Sequence, residues 1–193
     1  ESLSQKPGII AEFKCKSPSK GVIRENASVL DITLGYQNAG AAACSILTDQ
    51  KYFDGKNEDI LLVRPALEIP ILRKEFIIDP FQIVESKVLG ADLILLIAEC
   101  LSKNEITEYT IIAHDLGLEV LMELHFDDEL DKWNPEIDLI GINNRNLKTF
   151  ETGIERSLKM AEKLPTESIW VSESGLKGVE ELLALSQIGF RGF

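Results

Sequence analysis

Residues 70–97 read PILRKEFIIDPFQIVESKVLGADLILLI, and the order of residue types in this stretch decides the fold. Pro70–Lys74 is a short apolar run ending in two cations, the length of a buried strand. Asp79 followed by Pro80 places an N-cap before a proline at the first helical position, which predicts a helix over Pro80–Leu89. Gly90 stands where a left-handed residue closes a helix. Asp92–Ile97 then supplies a second apolar strand. Strand, helix and strand in this order make one parallel crossover unit.

The same alternation extends in both directions along the 193-residue chain. Further strands are predicted at Gly8–Phe13, Ala42–Thr48, Glu119–Leu124, Leu139–Asn143, Ile169–Ser172 and Gly189–Phe193. Further helices are predicted at Ser28–Ala39, Asn57–Ala66, Lys103–Leu116, Asp127–Trp133, Gly153–Lys163 and Lys177–Gln187. Ser28 with Asp31 three residues on reads as a helix start. Gly40 and Gly117 each follow a helical pattern, as Gly90 does.

Parallel strands joined by helices close into a barrel or lie in an open doubly wound sheet. Glu12, Lys14, Asp49, Lys74, Glu99, Glu123, Asn143, Glu173 and Ser174 all fall at or just past strand ends. A barrel converges those ends on one mouth, whereas an open sheet uses only the ends near its switch point. No GxGxxG or P-loop pattern is present. The expectation is an α/β fold, a (β/α)8 TIM barrel, in a single domain over residues 1–193. Such barrels typically run to about 250 residues, so this chain is short for one.

Composition narrows the partners. There are 20 Lys+Arg against 32 Asp+Glu, a net charge of −12. That field repels nucleic acid and anionic membranes. The apolar run Leu93–Ala98 is far below the ~20 residues of a membrane span, and no signal-peptide pattern opens the chain, so the cytoplasm is the expected compartment. The three cysteines, Cys15, Cys44 and Cys100, form no CxxC pair and point to a reducing environment. They and the two tryptophans read as packing. Only two histidines are present, with no metal-ligand spacing, so no metal site is expected. His114 falls in a helix and His125 just past a strand; neither receives a role.

Chemistry concentrates at the strand ends. Residues two apart on a strand share a face, so Glu12 and Lys14 point together. One reading is a solvated ion pair worth little; the other is a charged pair at the mouth. Lys74 shares a face with Leu72. It is either a lysine whose stem covers apolar surface while its amine reaches water, or a desolvated general acid. Glu123 and Glu173 likewise end strands after an apolar neighbour two residues back, and Asn143 ends another beside Gly141. Carboxylates and lysines gathered in one ring are how barrels separate acid and base roles. The loop 16–21, with Ser17, two lysines and a glycine, suits an anion or an ordinary turn. Ser174-Gly175 follows the seventh strand, where such barrels bind phosphate through backbone amides.

Several segments together resemble the indole-3-glycerol phosphate synthase family. They are IAEFKCKSPSKG at 10–21, LTDQKYFDG at 47–55, LRKEFIIDPFQI at 72–83, VLMELH at 120–125, GINNRNLKTF at 141–150 and SESG at 172–175. The matches are in order and cover almost the whole chain. The resemblance implies a metal- and cofactor-free reaction in tryptophan biosynthesis. A carboxyphenylamino-deoxyribulose phosphate closes to an indole ring, losing carbon dioxide and water.

By motif position, Lys74 is then the general acid on the substrate ketone and Glu123 handles protons in dehydration. Lys14 holds the departing carboxylate or serves as a second acid. Glu12, Asn143 and Glu173 orient the lysines and the reacting oxygens. Arg145 assists with the carboxylate, Ser174 and Gly175 grip phosphate, and Ser17 contacts substrate. The partner is a small phosphorylated anion, with fusion to or association with other tryptophan-pathway enzymes left open. Other phosphate-binding barrels, such as phosphoribosylanthranilate isomerase, use different acids and bases. A non-catalytic barrel module is the alternative from another class. Family members have a helix before the first strand and continue through a final helix. The chain is therefore expected to be truncated before helix 8 and to lack the extra N-terminal helix.

Overall fold

The computed structural model describes residues 2–24, 27–146 and 149–193. Leu147 and Lys148, part of the 141–150 motif, lie outside the described residues. The chain divides into two compact units, residues 9–95 with 111–119, and residues 1–8 with 96–110 and 120–193.

The first unit holds β1 (Ile10–Phe13), α1 (Val29–Asn38), β2 (Ala43–Leu47), α2 (Asn57–Val63), β3 (Ile71–Lys74), α3 (Pro80–Leu89) and the start of β4 (Leu93–Ile97). Each strand pairs in parallel with its sequence neighbour: Glu12 sits opposite Ser45, Leu47 opposite Lys74, and Leu72 opposite Leu93. Strand order therefore equals chain order, without the reversal that marks an open doubly wound sheet.

Local signals explain the helix ends. The Ser28 hydroxyl accepts the Asp31 amide at 3.2 Å. At α3 the Asp79 carboxylate accepts the Phe81 amide at 2.8 Å, while Gln82 Oε1 accepts the Asp79 amide at 3.0 Å, a reciprocal cap. Gly90 ends α3 at φ 97°. Phe13, Val29, Cys44, Ile46, Ile60, Val63, Ile71 and Leu89 form the core between these strands and helices, each large side chain worth roughly 1.5–3 kcal/mol when buried.

Arg73 shows which way β3 faces. Its guanidinium is 2% exposed and donates to Thr48 Oγ1, Gln82 O, Ser86 Oγ, Asn57 Oδ1 and Glu85 Oε2. Arg73 is thus turned under α2 and α3, which sends Leu72 and Lys74 to the opposite face.

The second unit contains α4 (Lys103–Asp115) in part, β5 (Glu119–Leu124), β6 (Leu139–Asn143), α5 (Glu155–Met160), β7 (Ile169–Glu173) and α6 (Val179–Gln187). Again the strands are parallel and in chain order, with Glu123 opposite Gly141 and Asn143 opposite Glu173.

Several expectations are corrected. Gly189–Phe193 forms no strand; Gly192 instead makes isolated parallel bridges to Val171 and to Gly8. Backbone bonds join Ser172 N to Gly192 O at 2.9 Å and Phe193 N to Gly8 O at 3.1 Å. The segment occupies the position of an eighth strand in two-sided but minimal form. An added Cβ on Gly192 would meet Val171 at 2.8 Å, so the close approach requires glycine.

Asp127–Lys132 is 3₁₀, not α-helical. Ser2–Gln5 forms a short helix ahead of β1, where no helix was expected. The loop after β1 is a small hairpin, Lys16–Ser17 against Gly21–Val22. Cys44 is buried, which pushes its thiol up to about 12, but Cys15 is half-buried and Cys100 exposed, so packing does not describe all three cysteines. Among the described residues no helix is long and apolar enough to cross a membrane.

Candidate active site

The first unit gathers Glu12, Lys14 and Lys74. β1 turns Phe13 into the helix-covered core, so Glu12 and Lys14 share the other face. Lys14 Nζ donates to Glu12 Oε1 in a very short contact, and Lys74 Nζ lies 3.4 Å from Glu12 Oε2. One carboxylate thus spans two ammonium groups. Burial works to raise the Glu12 pKa, but Lys74 and Lys14 outweigh it and hold the group below the ordinary carboxylate value.

The side chains of Lys14 and Lys74 are 32% and 17% exposed, so Lys74 is the more desolvated cation. This arrangement is more than the solvated pair that exposed charges form. Its chemical capacity is a proton donor held in place by an ionised neighbour.

Ser17 belongs to the hairpin and is 7% exposed. Its hydroxyl accepts the Lys20 amide at 3.2 Å, which folds the 16–21 loop back on itself. The Asp49–Gly55 stretch forms a helical turn capped by Asp49, whose carboxylate accepts the Tyr52 amide at 2.6 Å. A separate cleft of about 300 Å³, lined by Arg64, Pro70, Lys87 and Asp92, lies at the starts of β3 and β4. It is at the other end of those strands from Lys74.

The second unit gathers Glu123, Asn143 and Glu173. Glu123 is 3% exposed, between Met122 and Leu124 at 0%. Asn143 Nδ2 donates to Glu123 Oε1 at 3.0 Å, and Asn143 Oδ1 accepts the Arg145 amide at 3.0 Å. The asparagine therefore fixes both the carboxylate and the following loop. Gly141 sits opposite Glu123 in register on one side and opposite Val171 on the other. An added Cβ there would overlap Glu173 Oε1, so the missing side chain makes room for that carboxylate.

Behind β6 and β7, Asn144 donates to Ser172 Oγ at 2.9 Å and accepts from Ser157 Oγ at 2.9 Å, tying α5 to both strands. Arg145 pairs with Thr152 and donates to Phe150 O at 3.4 Å, while Arg156 donates to the carbonyls of Asn143 and Arg145. Ser174 and Gly175 both have positive φ, 67° and 72°. Consecutive left-handed residues turn the chain sharply after β7, and a Cβ on Gly175 would overlap Thr152.

His125, which receives no role from the sequence, is 4% exposed with Nε2 3.3 Å from Glu123 Oε1. The signal was present: His125 follows Glu123 by two residues on one strand direction, the spacing that already grouped Glu12 with Lys14. Glu99, His125 and Glu129 are the one grouping among the described residues whose ligand atoms lie within 4.8 Å of one another. Glu129 Oε2 already accepts the amides of His125 and Phe126 at 2.6 and 3.0 Å, so it acts as a cap for the turn.

Against known proteins, the family model described as Indole-3-glycerol phosphate synthase matches residues 1–193. The chain is 50% identical over 190 residues to an indole-3-glycerol phosphate synthase of Bacteroides thetaiotaomicron, covering 98% of this chain and 73% of that protein. It is 46% identical over 194 residues to one from Carboxydothermus hydrogenoformans, covering 100% and 74%. Among solved structures, the tryptophan synthase complex of Pyrococcus furiosus matches with TM-score 0.70 at 16% identity, over 97% of this chain and 86% of that one. KGPDC from Streptococcus mutans matches with TM-score 0.72 at 14% identity, over 98% and 87%. Those two likenesses carry the fold alone, and the fold is the TIM barrel.

Proposed function

The chain belongs to the indole-3-glycerol phosphate synthase family and carries that family's function in tryptophan biosynthesis; from this premise we propose which of its residues perform the reaction and how. The reaction is a carboxy-lyase ring closure. The arylamino-deoxyribulose phosphate loses carbon dioxide and water to give indole-3-glycerol phosphate, by acid–base chemistry without a metal or organic cofactor.

Lys74 is the general acid. It gives a proton to the substrate ketone oxygen, which makes the ketone carbon electrophilic towards the aromatic carbon that bears the carboxylate. The observation that carries this is the Lys74–Glu12 contact at 3.4 Å, with Glu12 kept ionised beside it. An ionised partner holds the lysine charged and aimed until the substrate oxygen accepts its proton. Lys14, on the other oxygen of Glu12, holds the carboxylate that leaves or serves as a second acid.

Carbon–carbon bond formation is followed by decarboxylation, which restores the aromatic ring. Dehydration then removes the new hydroxyl as water and a proton from the adjacent methylene carbon. Glu123 handles these protons, oriented by Asn143. Glu173, seated over Gly141, orients the reacting oxygens. Arg145 assists with the carboxylate and Ser17 contacts the substrate. Ser174 and Gly175 offer backbone amides to its phosphate at their left-handed turn. The substrate is a small phosphorylated anion, and the site of action is the cytoplasm.

The test is turnover of the arylamino-ribulose phosphate, followed by indole fluorescence with EDTA present. Product formation supports the reading. Folded enzyme that yields none, or needs added metal, contradicts it.

A further inference from the structure

Both nitrogens of the His125 ring are buried, and neither has a hydrogen-bond partner among the described residues. Buried polar atoms left in that state are uncommon and call for an explanation. The ring is 4% exposed, and each nitrogen faces a carboxylate. Nδ1 lies 3.9 Å from Glu99 Oε2, and Nε2 lies 3.3 Å from Glu123 Oε1.

Two short turns surround Nδ1. Glu99 lies in the 3₁₀ turn Ala98–Cys100 after β4, and Glu129 in the 3₁₀ turn Asp127–Lys132 after β5. Lys132 Nζ donates to Ala98 O at 2.6 Å and to Leu101 O at 2.9 Å, which ties one turn to the other. That ammonium is spent on carbonyls instead of on Glu99 or Glu129. Glu129 is 6% exposed, and its Oε2 accepts the amides of His125 and Phe126. A carboxylate offers about four lone-pair sites, so acceptor capacity remains on Glu129. The Glu99 side chain is 52% exposed and has room to turn.

We propose that Glu99, His125 Nδ1 and Glu129 bind one divalent transition-metal ion, zinc above all, with water as the fourth ligand. Donor atoms of the three residues lie within 4.8 Å of one another. Tetrahedral zinc, with bonds of about 2.1 Å, sets its donors roughly 3.4 Å apart. The 3.9 Å from Nδ1 to Glu99 therefore needs only a small turn of that side chain. Two carboxylates match the charge of the ion, and the imidazole nitrogen favours a transition metal over magnesium or calcium. A metal on Nδ1 also leaves the ring proton on Nε2, which faces Glu123 Oε1. Metal-bound histidines ordinarily give their other N–H to such a carboxylate. One ion thus accounts for both orphaned nitrogens. Chain spacing hides the site, because Glu99 comes from the turn after a different strand. The ring closure proposed above does not pass through this ion.

The test titrates zinc into untagged enzyme, stripped with EDTA and desalted, in competition with a chromophoric zinc indicator. The unaltered enzyme is expected to withdraw one zinc per chain. Glu99→Gln weakens that binding at least about tenfold, and His125→Gln removes it. Cys100→Ser, which alters the exposed thiol next to Glu99, leaves it unchanged. Because the Glu99 side chain is exposed, its variant decides the matter even where His125→Gln does not fold. No zinc withdrawn by the unaltered enzyme overturns the site. So does binding that Glu99→Gln leaves unchanged or that Cys100→Ser removes. Binding is read without turnover, so failure of the ring-closure reading would show separately, as absence of indole product.

Discussion

Gly141 and Glu173 are complementary: the side chain that position 141 lacks is the space that the Glu173 carboxylate fills. They belong to adjacent strands, with Gly141 opposite Val171 and Asn143 opposite Glu173. Glycine in a strand interior usually weakens it. Here it seats a carboxylate, so its role is in the site more than in the backbone.

Gly141→Ala is therefore expected to reduce kcat/KM at least about tenfold while costing only about 1–2 kcal/mol of stability. The atom it displaces is the end of a flexible side chain. Steady-state kinetics and urea unfolding on the same preparation check both halves. A variant with normal kcat/KM would show that Glu173 does not need its seat.

Glu12 ties acid stability to the lysine cluster. Its carboxyl is held below the ordinary value of 4.5, with burial opposing and Lys74 and Lys14 prevailing. A carboxylate with a depressed folded-state pKa adds stability above its unfolded pKa, and that stability is lost as pH falls through the folded value. Glu12→Gln should therefore lose stability relative to the parent at neutral pH, and the gap should narrow as pH drops below about 4.5. Urea midpoints of both proteins across pH 7 to 3 measure this; a gap constant with pH would contradict it.

Arg73 is a structural cation, with five side-chain donations that join Thr48, just past β2, to α2 and α3 beneath β3. Removing it leaves polar groups and the Glu85 carboxylate without their partner. Arg73→Ala is expected to cost about 3 kcal/mol, the lower end for breaking a buried pair, because Glu85 keeps a side chain 32% exposed to water. Arg73→Lys should recover only part of that, since an ammonium lacks the planar fork. Denaturant midpoints compare the three proteins.

The sequence was most legible where a signal is local. Pro80–Leu89 has the predicted bounds because Asp79, Pro80 and Gly90 act within a turn of its ends. Glu119–Leu124 and Leu139–Asn143 also match, being apolar runs of strand length and too short for a helix. Gly189–Phe193 looked equally strand-like. Its pairing depends on Gly8 and Val171, far away in sequence, and it makes only bridges. The acid-rich 127–132 segment has the composition of a helix start, and Glu129 spends its carboxylate on two amides at the turn, which is 3₁₀.

At the site, two-residue strand spacing grouped Glu12 with Lys14, and the structure joins them. The same spacing groups Glu123 with His125, but His125 lies one residue past the end of its strand, where the period of two is a weaker guide. Arg73 was invisible as a buried residue because a cation between Leu72 and Lys74 reads as surface. Its partners come from Thr48 and from the packing of α2 and α3.

The account's central claim is that Lys74, held by Glu12, is the acid that starts ring closure. The most direct measurement is kcat of Lys74→Ala, by indole fluorescence, on protein whose circular dichroism and melting temperature match the parent. The account predicts a fall of about a thousandfold or more, within the range for loss of a general acid. A rate within about tenfold of the parent, below the lower limit of that range, would contradict it.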